Sequence, residues 1–477
     1  MTKMLGVQEE PAIYKVLASR MATERRSLRS LGRWSGGGTP SKSNPAFWSG
    51  GTIPWVSPKD MKLARISDAE DHITPEAVAR SATSLIKAGA VVLVVRSGIL
   101  QHSLPVAVTD VDVALNQDLK ALQPSAGVDA TYVAWALRAH AQAILRLCTK
   151  AGTTVQSIEM PALLDYEIPL PSAERQREVV ETVEARLSVL DASVAALHRV
   201  QANLKRYRAS VLKSACEGRL VPTEAELAHQ EGRTFETGAQ LLQRILAERF
   251  APGAAKRTEP VAPETALHPS PPTGWTRASL EQIGAVVSGL TKNPKREKLE
   301  RKVPYLRVAN VYAGELRLSE IEHIGVAEAE LEKLLVIKDD LLIVEGNGSP
   351  SQIGRVARWD GSISPCVHQN HLIKVRLRGV NPLWAMNCLL SPEARSQIER
   401  ISSSTSGLHT LSTGKVARLT IPLPPLAEQH RIVAEADRRL SLIRVAEAQV
   451  SANLARAQRL RQSILQAAFR TPAQAGQ

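Results

Sequence analysis

Apolar residues fall at Val179, Val183, Leu187, Leu190, Val194, Leu197, Leu204, Tyr207 and Val211, mostly three or four positions apart. That spacing predicts a helix with a coiled-coil seam. Shifted by 253 positions, the seam returns at Ile432, Ala436, Leu440, Ile443, Glu447, Val450, Ala457, Leu460 and Ile464, with only Glu447 polar. Ile168-Pro-Leu-Pro171 meets Ile421-Pro-Leu-Pro424, Gln176 meets Gln429, Arg186-Leu-Ser188 meets Arg439-Leu-Ser441, and Ala215 meets Ala468, all without a gap. An insertion would rotate every later residue off its face, so a gap-free match is the mark of a helix. A one-sided apolar stripe cannot be satisfied alone, and the natural partner of each helix is the other. Two segments of about 44 residues, roughly 66 Å each at helical rise, predict a long antiparallel stalk. The prolines before each helix end a strand and set up a helix start. Ser172 fits an N-cap, and Pro425 takes its place in the second copy.

A block of mixed strand and loop patterning precedes each helix. In the first, Ala90–Val95 and Pro105–Val108 read as strands and Tyr132–Leu147 as a helix. In the second, Val303–Val311, Asp340–Val344 and His371–Leu377 read as strands and Pro382–Glu399 as a helix. Each block opens with a glycine turn, Leu31-Gly32…Ser35-Gly36 and Ile283-Gly284…Ser288-Gly289. The fold expected is an α/β (α+β) two-fold repeat: blocks at 28–171 and 275–424, long helices at 172–217 and 425–470, and a linker at 218–274. The linker's end, PVAPETALHPSPPTGW, predicts an extended, poorly packed connector. Residues 1–27 match neither block. They read as a helix packed beside the stalk or as a mis-called start, and are assigned here as a helical N-terminal segment.

Charge narrows the class of partner. The chain carries 60 Lys+Arg against 47 Asp+Glu, net +13, a surplus that points to a polyanion or an anionic membrane. The longest apolar run, Ala88–Val95, is far short of a membrane span, and the N-terminus has no signal-peptide core. The expectation is a cytoplasmic protein without a membrane partner. Four widely spaced cysteines with no CxxC argue against a disulfide scaffold or a zinc ribbon.

Several stretches together carry a resemblance. They are GGTPSKSNPAFWSGGTIPWVSPKDM (Gly37–Met61), LPVAVTDVDVALNQDLKAL (Leu104–Leu122), YLRVANVYAGEL (Tyr305–Leu316), EGNGSPSQIGRVARWDG (Glu345–Gly361) and CVHQNHLIKVRL (Cys366–Leu377). With the twice-used IPLP-plus-helix order, the chain from about Leu28 resembles the specificity subunits of type I restriction–modification systems. The resemblance implies two target recognition domains, each reading half of a split double-stranded DNA target. It implies helices that act as spacers and dock two modification subunits, with restriction/translocase subunits completing the complex. It further implies a non-catalytic subunit without a cofactor of its own. S-adenosylmethionine, ATP and Mg²⁺ would be bound by the partners, and the complex would methylate adenine.

The motifs agree with a non-catalytic reader. There is no P-loop and no adenine-methylation (N/D)PP(Y/F) motif. Cys366, His368 and His371 lack the second ligand pair of a metal site and read as a polar strand edge or DNA-facing loop. Base reading needs side chains that bond two edge atoms, Arg or Lys to guanine and Asn or Gln to adenine. In the first block the candidates are Lys42, Lys59, Arg96, Gln101, Asn116 and Gln117. In the second they are Arg307, Asn310, Asn347, Gln352, Arg355, Gln369 and Asn370. Two rival readings are a coiled-coil protein-binding scaffold and a stand-alone restriction or modification enzyme of unrecognised type.

Overall fold

The computed structural model describes residues 24–150, 155–249, 270–347, 349, 352–405 and 408–469. The chain divides into two compact units, residues 1–198 with 451–477 and residues 199–450. Two helices of 44 residues each, Ala173–Cys216 and Leu426–Phe469, contribute one end to each unit. Neither contains a proline or glycine, and both are dense in Ala, Leu, Glu and Arg, the residues that lose least on entering a helix. The first helix stops at Gly218, which takes φ +68 while the Arg219 amide bonds back to the Ser214 carbonyl.

In the first unit, one sheet runs in the order Gly32–Gly36, Leu119–Pro124, Val91–Val94, Val106–Thr109, Arg65–Ile66. A second runs Asp71–Ile73, Ile53–Val56, Val113–Leu115, Leu85–Ile86. The continuous apolar run Val91–Val94 is buried on both faces, as a central strand requires. The second unit repeats the plan. One sheet runs Gly284–Ser288, Leu372–Leu377, Leu341–Val344, Val356–Arg358, and the other Glu322–Gly325, Lys302–Leu306, Val367–His368. In both units the second sheet contains one parallel pair, Ile53–Val56 with Val113–Leu115 and Lys302–Leu306 with Val367–His368.

Each unit also contains one end of the helix pair. In the first, Val179, Val183, Leu187 and Leu190 share a core with Ala457, Ile464, Leu465, Ala468 and Phe469. In the second, Val211, Leu212, Ala215 and Cys216 share a core with Ile432, Val433, Ala436, Leu440 and Ile443. The start of one helix therefore meets the end of the other, and the pair is antiparallel. Glu447, the polar exception in the seam, accepts from Arg208 across it at 2.7 Å.

Several local expectations change. Residues 25–27, assigned to a helical segment, form a strand paired with Glu167–Pro169; residues 1–23 lie outside the described residues. Thr276–Ser279 pairs in the same way with Thr420–Leu423, so the last strand of each block is closed by the first. The glycine turns are extended strand starts, Gly32 and Gly284, packed onto backbone opposite. The helix over Tyr132–Leu147 is two, Ala130–Ala139 and Ala141–Cys148, meeting at His140. Pro382–Glu399 divides into Pro382–Leu389 and Pro392–Ile401, because Pro392 lacks an amide hydrogen and Ser391 caps a new start.

The linker is also more structured than a connector. Glu224–Glu231 and Gly238–Arg249 are helices, and Leu241 and Ile245, one turn apart, enter the core of the second unit. Its Pro-rich end falls mainly in residues 250–269, outside the described residues.

Candidate nucleic-acid interface

Where each block meets its long helix, the same latch appears. Gln176 is buried in the first helical turn. Its Oε1 accepts from the Asp129 amide at 2.8 Å, and its Nε2 donates to the Pro171 and Gly127 carbonyls at 2.8 and 3.1 Å. Gln429 does the same with the Asn381 amide and the Pro424 carbonyl, both at 2.9 Å. Asp129 and Asn381 are the N-caps of the helices that carry Tyr132 and Trp384. Those buried aromatics donate to the Pro169 and Pro422 carbonyls at 2.9 and 3.1 Å. The repeated Gln and IPLP are thus one hydrogen-bonded joint holding each block on its helix.

Away from the joint, three loops converge in each block at the end of the parallel strand pair. In the first, the Asn116 amide donates to the Val56 carbonyl at 2.9 Å and the Gly38 amide to the Leu115 carbonyl at 2.8 Å. In the second, Gln369 donates to Leu306 at 2.9 Å and Leu290 to His368 at 2.8 Å. A 3-10 turn follows the parallel strand in both, Pro58–Asp60 and Val308–Asn310. Glycine is required where the loops cross. A Cβ on Gly37 would lie 1.9 Å from the Asn116 carbonyl oxygen, and one on Gly289 would lie 2.1 Å from that of His368. The result is a rim in each block, with the turn Asn116-Gln117 in one and Gln369-Asn370 in the other.

The candidate side chains divide between rim and framework. Gln117 is exposed on the first rim and accepts from the Thr39 hydroxyl. Arg96 stands beside it, paired with Asp118 at 2.6 Å. Lys59, on the 3-10 turn, is held by Asp71 and Glu70 at 3.0 and 3.2 Å. Lys42 is exposed on a turn, and Gln101 is exposed at the end of the 3-10 turn Gly98–Gln101. In the second block, Gln369 and Asn370 are half-buried on the rim, and Arg307 pairs with Glu322 at 2.7 Å. Arg355 donates to the Val308 carbonyl at 3.5 Å, and burial lowers its guanidinium pKa. Gln352 is exposed on the turn before Val356–Arg358, and Asn347 lies in a short strand whose side chain is outside the described set.

Two candidates are corrected. Asn116 is buried, donating to Asp118 at 3.3 Å and accepting from its amide at 3.0 Å. Asn310 is buried, with its amide on the Arg317 and Glu320 carbonyls at 2.9 Å each. Both spend their hydrogen bonds shaping the turn, so neither is free to reach a base.

The structure adds residues that the sequence reading passed over. Thr39 and Asp118 orient Gln117 and Arg96. Tyr312 carries Arg317 over its ring at 3.9 Å to the centroid and Arg355 at 5.2 Å. Their signals were the GGGT run at 36–39 and the second tyrosine of Tyr305–Leu316. His368 is not an available ligand. Its Nδ1 donates to the Leu372 carbonyl at 3.0 Å, and burial, with Lys374 nearby, pushes its pKa down to about 4. No His/Cys/Asp/Glu group among the described residues could hold a metal ion.

Two similar blocks, each latched to a long helix and presenting a polar loop rim, define a duplicated block-and-helix architecture. The chain belongs to the family of type I restriction modification DNA specificity domains, which matches it at residues 23–205 and again at 272–439. It is 42% identical over 161 residues to the type I restriction enzyme EcoR124I/EcoR124II specificity subunit of Escherichia coli, across 34% of this chain and 40% of that one. It is 26% identical over 327 residues to the EcoKI specificity subunit of Escherichia coli (strain K12), across 67% of this chain and 60% of that one. The matches thus span about half the length of these relatives. A solved structure described as "Structural basis underlying complex assembly and conformational transition of the type I R-M system" shares the fold, with TM-score 0.61 and 18% identity over 94% of this chain and 97% of that one. No helix among the described residues is long and apolar enough to cross a membrane.

Proposed function

We propose that this chain is the DNA sequence-specificity subunit of a type I restriction–modification complex, each rim reading one half of a bipartite target in double-stranded DNA. The observation that carries this reading is the twice-built rim. One backbone frame presents Gln117 in one block and Gln369-Asn370 in the other, on joints of the same design. A common frame with different donors is what reading two different words requires. The net charge of +13 suits a phosphate backbone. Helices of about 66 Å would cap the gap between half-words at about two duplex turns of ~34 Å.

Partner docking is supported by exposed apolar residues at equivalent places on the two helices. Val189 and Leu442 are 70% and 62% exposed, and Tyr207 and Leu460 are 49% and 37% exposed. Matching apolar spots suit two copies of one partner, the modification subunit. The chain itself is a non-catalytic reader. S-adenosylmethionine, ATP and Mg²⁺ belong to the modification and restriction/translocase subunits, and the complex works in the cytoplasm.

Single-molecule methylome sequencing of cells carrying the system tests this directly. The expected result is a split adenine-methylated motif. Replacing residues 28–171 with another recognition block should change only one half-word. A contiguous motif, or a change in both halves, refutes the reading.

A further inference from the structure

We propose that Cys216 and Cys388 form a redox-responsive dithiol, oxidised to a disulfide by a low-molecular-weight anionic disulfide that enters the cavity lined by Cys216. Cys216 is the last residue of the first long helix, and Cys388 lies in the recognition-block helix Pro382–Leu389. They are 172 residues apart in sequence, yet their sulfurs are 3.6 Å apart, close enough for one thiol to donate to the other. Cys366, also buried, instead donates its thiol hydrogen to the Val367 carbonyl.

The surroundings set an order of attack. Cys216 lines a cavity of about 490 Å³ with Lys213, Glu217, Arg219, Arg277 and Glu393, three cations against two carboxylates. Lys213 and Arg219 pair with Glu217 and Arg277 pairs with Glu393, leaving a small positive surplus that attracts an anionic reagent to the one thiol of the pair that lines the cavity. Cys388 does not line that cavity, and burial, then the neighbouring Cys216, pushes its thiol well above the usual range. Cys216 is therefore the attacking sulfur and Cys388 the resolving one.

The chemistry balances. The Cys216 thiolate attacks one sulfur of the small disulfide, forms a mixed disulfide and releases one small thiolate. Cys388 then gives up its proton and attacks Cys216 Sγ, releasing the second small thiolate. The protein loses two hydrogens as one S–S bond forms, and the small disulfide is reduced to two thiols. The bond would staple the end of the helix to the recognition block and close a long loop, restricting the unfolded chain.

Full-length protein incubated with oxidised glutathione, acid-quenched and alkylated under denaturing conditions tests this by peptide mass spectrometry. The expected product is a Cys216–Cys388 cross-link about 2 Da lighter than the two reduced peptides, with Cys148 and Cys366 alkylated. In urea, the oxidised protein should unfold at higher denaturant and return to the original midpoint on reduction. Cys388→Ser should stop at a glutathione adduct on Cys216. Alkylation of all four cysteines, or an adduct persisting on Cys216 in the unsubstituted protein, overturns the proposal.

Discussion

The two block-to-helix joints share their latch but differ one residue before it. Position 175 is an arginine, half-exposed and paired with Glu178 on its own helix. Its counterpart, Glu428, is fully buried, accepting from the Trp275 indole at 3.0 Å and the Glu224 amide at 2.9 Å. Glu224 in turn meets Arg233 and Arg431, each at 2.7 Å. The second joint must also anchor the helices Glu224–Glu231 and Gly238–Arg249, and the buried carboxylate is the device that holds the first of them. One joint therefore serves as a hinge plate for a block alone, and the other also fixes the segment that leads into it.

Substitutions can break that comparison. The largest effect is expected at Glu428→Ala, which strands two buried donors and should cost about 3 kcal/mol in urea unfolding. Arg175→Ala should cost less than about 0.5 kcal/mol; equal losses would erase the distinction. Gln176→Leu and Gln429→Leu should each cost about 2 kcal/mol, because the latch is shared. Gln117→Ala should weaken DNA binding by about 1–3 kcal/mol at the half-word read by the first block and leave folding intact. Asn116→Ala should instead destabilise the fold, as a buried framework residue.

Acid sharpens the same contrast. Burial raises the Glu428 carboxyl pKa. Its folded value then exceeds its unfolded value, so the stability linked to its proton is present below the ordinary glutamate range and lost as pH rises through the folded value. For Glu224, burial works upward, but Arg233 and Arg431 hold it below that range. Its contribution is present above the unfolded value and lost as pH falls through the folded one. The stability difference between the unsubstituted protein and Glu428→Gln should shrink as pH rises above the ordinary glutamate range. The smallest effect is expected at Lys42→Ala, which should lower the salt slope of DNA binding by about one phosphate contact and affect all sequences alike.

The long helices and their pairing were legible because helical periodicity is local. The same three-and-four spacing puts Val179, Val183, Leu187, Leu190 and Val211 on the buried face, whereas Tyr207, at the same spacing, is exposed. The repeat offset of 253 placed Gln176 against Gln429, which the structure reveals as one joint used twice. The rim was only partly legible. Asn116 and Gln117 are adjacent and chemically similar, yet one is buried in the framework and the other exposed. Their exposure depends on Val56 and Gly37, some 60 to 80 positions earlier.

The sequence by itself determined two helices, two blocks, the order of their assembly and the family to which they belong. Tertiary structure alone decided that Arg25–Ser27 closes a sheet, that residues 224–249 pack as helices, and which polar residues at each rim face outward. The physical reason is the range of the interactions. A helix satisfies its backbone within four residues, whereas a strand, a buried carboxylate or a crossing loop takes its partners from distant parts of the chain.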